Sequence, residues 1–200
     1  VLEDPLLAAS PDLRDSLGGI RDEVDRGQRS VERFLQYIEP KPPLIGEVSV
    51  HKMLDDLLGI LERELRFRNI EVQRSFLPDL PVVHSDCSKL RQVFLNILLN
   101  ALEAVGQNGE IELIAGSRDS EVFVEIRDNG PGIPETDLEM VFEPLWTTRP
   151  HGTGLGLPLC RDILDKLGGS IAIESTVGKG TSVIVTIPLQ LYAQAKQHCG

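Results

Sequence analysis

Glu121-Val122-Phe123-Val124-Glu125-Ile126-Arg127-Asp128-Asn129-Gly130-Pro131-Gly132 is the stretch on which the fold turns. Val122, Val124 and Ile126 share one face, the alternation of a strand with one side buried. The run then breaks at Asp128 into a turn that carries two glycines. Working outward, residues 111–115 and 121–127 read as one hairpin. Residues 170–175 and 181–187 read as a second, around Gly178-Lys179-Gly180. Residues 70–76 alternate as a further strand.

Helices fall between these strands. Residues 51–68 place Met53, Leu54, Leu57, Leu58, Leu61 and Leu65 on one face. Residues 86–105, capped by Asp86, turn Leu90, Val93, Phe94, Ile97, Leu98 and Ala101 inward. Residues 158–167 form a short helix stopped by Gly168-Gly169. Helices and strands alternate irregularly, which predicts an α+β domain. It is a two-layer α/β sandwich on a mixed, mostly antiparallel sheet, not a doubly wound parallel one.

Ahead of this domain stands another pattern. Leu13, Leu17, Ile20, Val24, Gly27, Val31, Phe34 and Ile38 recur in steps of four and three, the seam of a coiled-coil-like helix. Ser10 supplies a cap, Pro11 the first helical position, and Pro40-Lys41-Pro42-Pro43 ends the segment. Such a helix either pairs with other helices, giving a homodimer through residues 12–38, or packs on its own domain. The chain thus divides into residues 1–43 (helix and linker), 44–189 (the α+β domain) and 190–200 (a tail).

Composition limits the partners. The chain has 200 residues, 41% hydrophobic and 26% charged, and a net charge of −11. That balance disfavours nucleic acid and anionic lipid, both polyanions, but leaves room for one nucleotide held by a local patch of amides and a metal ion. No stretch reaches the roughly 18 apolar residues of a membrane span. The expected location is cytoplasmic, with any membrane tie in segments upstream of Val1, which is not a start methionine. Cys87, Cys160 and Cys199 lack metal or disulfide spacing and read as reduced thiols, and the four histidines show no ligand pattern.

Three blocks carry chemistry. Asp128 at a strand end is a fixed acceptor for an exocyclic amine, and Gly130 and Gly132 let a flat ring approach; the same run is also an ordinary turn. Gly152-Thr153-Gly154-Leu155-Gly156-Leu157 runs into a helix, whose positive end and open amides suit phosphate. It lacks the strand context of a dinucleotide fingerprint and the Gly-Lys-Ser/Thr of a P-loop. Thr147, Thr148 and Arg149 just before it favour a phosphate-binding lid over a plain flexible loop. Asn96 and Asn100 are four apart on one helix face. Either each amide bonds to nearby backbone, or Asn100 offers its oxygen to Mg²⁺.

Taken together, these runs carry a resemblance. Asn100-Ala101, Asp128-x-Gly130-x-Gly132, Phe142-Glu143-Pro144, Gly152-x-Gly154-x-Gly156 and Gly178-x-Gly180-Thr181 resemble, in order and spacing over about residues 46–189, the N, G1, F, G2 and G3 boxes of histidine kinases. These kinases are a branch of the gyrase, chaperone, histidine kinase and mismatch-repair ATPase superfamily. The wording of residues 142–150 and 154–158 looks most like the nitrogen-regulation type.

The resemblance implies the Bergerat ATP-binding fold, with ATP and Mg²⁺ as cofactors. Asp128 would bond the adenine amine, with Gly130, Gly132 and Ile133 lining the base pocket. Asn100 would hold the metal, with Asn96 near the phosphates. Residues 142–157 would form a mobile lid, bringing Phe142, Thr147, Thr148, Gly152, Thr153, Gly154, Leu155, Gly156 and Leu157 to the nucleotide, while Gly180 and Thr181 would close the far side.

Two departures matter. Hydrolysing members of the superfamily carry a glutamate one turn before the metal asparagine; here Asn96 stands there and cannot act as a base. Glu103, also expected beside the nucleotide, replaces the Lys or Arg of many histidine kinases, which leaves Arg149 as the first candidate for phosphate charge and Lys179 as the second.

The resemblance also implies partners: a phosphoacceptor histidine hairpin and a response regulator. No histidine precedes His51, so residues 13–38 resemble only the second helix of that hairpin. The acceptor is expected elsewhere in the parent chain or on a dimer mate. The competing expectation is a regulatory ATP-binding module of the same fold, such as an anti-sigma-factor serine kinase or a silent regulator.

Overall fold

The computed structural model describes residues 43–149 and 152–190. The helix expected over residues 11–38, the proposed dimer seam, His151 and the tail lie outside the described residues. Within them the chain runs β1 (Ile45–Val48), α1 (Val50–Phe67), β2 (Glu71–Phe76), β3 (Val83–Asp86), α2 (Cys87–Val105), β4 (Glu110–Arg118) and β5 (Glu121–Asp128). After two single-turn 3₁₀ helices, Glu135–Asp137 and Met140–Phe142, come α3 (Gly156–Lys166), β6 (Ser170–Thr176) and β7 (Gly180–Pro188).

Five strands form one sheet in the order β2-β4-β5-β7-β6. Only β2 and β4 are parallel; β4–β5, β5–β7 and β6–β7 are antiparallel, the mixed and mostly antiparallel sheet expected. Alternation assigns the faces. Ile111, Leu113 and Ala115, Val122, Val124 and Ile126, and Val183, Val185 and Ile187 all turn to one side and are buried there. The helices cover that side. Phe94, Ile97 and Leu98 of α2, Leu54 and Leu57 of α1, and Leu164 of α3 complete a single core with them. The opposite side of the sheet carries Gln73, Glu112, Arg127 and Ser182.

Local signals explain the helix ends. Ser49 caps α1, its hydroxyl accepting from the Lys52 amide at 3.3 Å. Asp86 caps α2 more strongly: Oδ1 accepts from the amides of Ser88 (2.9 Å) and Lys89 (3.0 Å), and Oδ2 from Leu44 (2.7 Å). Burial opposes ionisation of Asp86, but the Ser88 hydroxyl and the three amides outweigh it and hold the carboxyl below its ordinary value.

Two features differ from expectation. β1 and β3, each four residues long and paired antiparallel, are too short to show a period, and only their pairing reveals them. α3 begins at Gly156, not at residue 158. Its first helical bond runs from the Leu159 amide to the Leu155 carbonyl (3.1 Å), so Pro158 falls where a missing N–H breaks nothing.

Candidate functional site

The site forms where β5 ends and β7 begins. Asp128 and Thr181 are paired across β5 and β7, and the alternation turns both to the helix side. Asp128 Oδ1 accepts from the Gly130 amide at 2.9 Å, which folds the turn back under the carboxylate. Burial pushes the Asp128 carboxyl up, and the Gly130 amide, the Thr181 amide and the Arg149 charge only partly offset this. A half-buried carboxylate with unused acceptor capacity can recognise an amine.

Two glycines are required here by geometry. Gly180 has φ +105°, and a Cβ on it would press into the Asp128 carbonyl. Gly132 has φ +74°, and a Cβ would press into the Thr176 carbonyl. Close backbone approach therefore lets the loop after β5 lie against the β6–β7 turn. Gly178 N donates to the Pro131 carbonyl at 2.8 Å and tightens the same contact.

Ser175 holds these pieces together. Its hydroxyl accepts from the Ile133 amide (2.8 Å) and lies 2.9 Å from both the Gly180 carbonyl and Thr181 Oγ1. The sequence reading missed Ser175. The available signal was parity, since it continues the inward series Ile171, Ile173 with a polar residue.

α2 brings the asparagines. Asn96 is buried at 8% exposure, and its Nδ2 has no hydrogen-bond partner among the described residues. One turn on, Asn100 Nδ2 lies 3.8 Å from the place of a Cβ on Gly156, so the metal candidate stands beside the first turn of α3. Among the described residues no side chain caps α3, which leaves the amides of Gly156 and Leu157 open to an anion. Gly130 packs against Ala104 of the same helix.

The stretch expected to form a lid, residues 142–157, is described except at residues 150 and 151. Its root is fixed by the Arg161 guanidinium, 3.7 Å from the centre of the Phe142 ring. Its two arms meet where the Leu145 amide donates to the Gly154 carbonyl at 3.0 Å. Thr147 Oγ1 accepts from the Arg149 amide (3.1 Å), and Thr153 Oγ1 from the Leu155 amide (3.4 Å). Thr148 is exposed, and the Gly152 amide closes a turn onto the Arg149 carbonyl at 3.1 Å.

Arg149 reaches back to α2. One terminal nitrogen lies 2.6 Å from Glu103 Oε2 and 3.4 Å from Asn100 Oδ1; the other donates to the Asn100 main-chain oxygen at 3.2 Å. Lys179 instead lines an open hollow on the helix-free side with Gln73, Glu112 and Arg127.

The donor set fits a magnesium–nucleotide pair. Asn100 offers a hard amide oxygen that already accepts from a cation, and the open amides of α3 are beside it. Among the described residues no cluster of three or more His, Cys, Asp or Glu could hold a metal, so phosphate and water would supply most ligands.

Comparison with known proteins gives the family and the fold. Residues 85–191 match the family described as histidine kinase-, DNA gyrase B-, and HSP90-like ATPase. Sensor histidine kinase ZraS of Escherichia coli O157:H7 is 32% identical over 84% of this chain, which spans only 37% of that relative's length. The catalytic domain of histidine kinase ThkA superposes with a TM-score of 0.69 at 34% identity, over 74% of this chain and 97% of that one. ThkA in complex with the response regulator protein TrrA gives a TM-score of 0.79 at 29% identity, over 94% of this chain and 53% of that one.

Proposed function

The chain belongs to the family of histidine kinase-, DNA gyrase B-, and HSP90-like ATPases, on its histidine kinase side, and on that premise we propose how it acts. It binds ATP with Mg²⁺ and passes the γ-phosphoryl group to a histidine on a helical hairpin outside the ATP domain. That hairpin belongs to the parent chain or to a dimer mate, and the phosphoryl group then goes to an aspartate of a response regulator. The work is done in the cytoplasm, where ATP is available. The nitrogen-regulation type rests on the wording of residues 142–150 and 154–158 alone.

One observation carries the transferase reading: the buried Asn96 at the place of a general base, its amide nitrogen without a partner among the described residues. An amide can donate to a phosphate oxygen but cannot take a proton from water. ATP held here is therefore kept from fast hydrolysis and waits for an imidazole, which is neutral and nucleophilic near pH 7.

The other residues bind and orient. Asp128 accepts from the adenine amine; guanine presents a carbonyl at that position and is repelled. The amides of Gly156 and Leu157 and the helix end behind them hold phosphate oxygens, and Arg149 adds charge. Asn100 would hold the magnesium, which when bound would supply charge neutralisation at the phosphates. Positioning and charge neutralisation are the main contributions a protein makes to phosphoryl transfer.

Calorimetric titration tests the base pocket. Wild-type protein is expected to bind Mg·ATP and not Mg·GTP. Asp128→Asn is expected to weaken ATP by about 10- to 100-fold, the scale of a lost hydrogen bond to a charged group. Unchanged affinity in that variant would overturn the role of Asp128.

A further inference from the structure

Glu103 lies three residues after Asn100 on α2, on the same helix face. The Arg149 guanidinium lies across both, at 2.6 Å from the Glu103 carboxylate and 3.4 Å from the Asn100 side-chain oxygen. A second nitrogen, 3.2 Å from the Asn100 main-chain oxygen, makes the grip three-pointed. The oxygen assigned to magnesium is thus already serving a cation. Two cations on one amide oxygen repel, so the guanidinium and a divalent ion cannot both keep full contact with it.

We propose that Glu103 is a positioning residue that latches Arg149 onto Asn100 when no nucleotide is bound, so that Mg·ATP must displace the lid arginine before the metal ligand is free. The proposal rests on the assignment of Asn100 above. It gives a purpose to an acidic residue beside a triphosphate site, where charge alone would disfavour one. Displacement also frees Arg149 for the incoming phosphates, so opening the latch and engaging the ligand are one exchange. The pair is half-exposed, with side-chain exposures of 40% and 54%. It is therefore a weak, salt-screened restraint that sets a threshold for binding and does not block it.

Trp146 provides a readout that needs no nucleotide. It is the only tryptophan in the chain and stands three residues before Arg149. In nucleotide-free protein, Glu103→Gln and Arg149→Ala are each expected to lower Trp146 fluorescence anisotropy. High salt should do the same to wild type and leave both variants unchanged. No change in either variant overturns the latch, whatever the nucleotide data.

Mg·ATP titrations then separate the explanations. Glu103→Gln is expected to tighten binding by about two- to five-fold at low salt, the range of a half-exposed ion pair, and by less at high salt. In an Arg149→Ala background the same substitution should have no effect. A gain that persists there means Glu103 merely repels phosphate, and a loss in the single variant means it aims Arg149 at the ligand; either overturns the proposal. Failure of every form, wild type included, to bind Mg·ATP would sink the functional reading, whereas the anisotropy result stands by itself.

Discussion

Asp128 and Gly180 face each other across one backbone contact, and they fail in opposite ways. Asp128 is partly buried with its carboxyl pushed up, so its charge costs the nucleotide-free fold stability. That cost is absent at low pH and sets in as pH rises through the raised value. Asp128→Asn should therefore melt at or above the wild-type temperature at pH 7 without ligand, and the difference should shrink on acidification. A clearly lower melting temperature at pH 7 would contradict this. Gly180→Ala must hold a side chain at φ +105° against the Asp128 carbonyl, and should lose about 1–3 kcal/mol in urea unfolding. Gly46, which has nothing within 4 Å and no positive φ, is the control; its alanine variant should stay within about 0.5 kcal/mol.

At the scale of elements, α2 is the organiser. Its N-cap ties the helix to the strand before it, its middle fills the core, and one face carries Asn96, Asn100 and Glu103 to the site. Asp86→Ala removes the acceptor for three amides and should cost about 1–2 kcal/mol. Because the Asp86 carboxyl is held below its ordinary value, its contribution is complete above the ordinary carboxylate range and fades as pH falls through the lowered one. Acid titration of wild type against Asp86→Ala should show the two curves converging at low pH. Phe94, fully buried, should cost about 3–5 kcal/mol as alanine.

Long periodic elements were legible in the sequence. The inward faces of α1 and α2 and the alternation of β4, β5 and β7 were all read from it, as was the Asp86 cap. What escaped needed the third dimension. β1 and β3 are four residues each and exist through their pairing. The start of α3 was obscured by Pro158, which the first turn tolerates. Asp128, Gly130, Gly132, Gly180 and Thr181 do meet at one strand end. The Ser175 link between them, and the grip of Arg149 on Glu103 and Asn100, join residues far apart in sequence.

For the whole molecule, the described residues supply the ATPase domain, and the sheet face opposite its helices carries Ile114, Phe123 and Ile184 beside the polar hollow of Gln73, Glu112, Arg127 and Ser182. No helix among them is long and apolar enough to cross a membrane. His51 and His84, the described histidines, sit at the start of α1 against Phe76 and in β3 beside Glu47. On the proposed function the acceptor is presented from outside the domain, and transfer between separate pieces is its direct consequence. The chain, mixed with Mg·ATP carrying a γ-phosphoryl label and with the histidine hairpin of its own parent protein, is the decisive measurement. Acid-labile, base-stable label on the hairpin, absent with Asp128→Asn, is the result predicted; tight ATP binding with no label on any hairpin would contradict it.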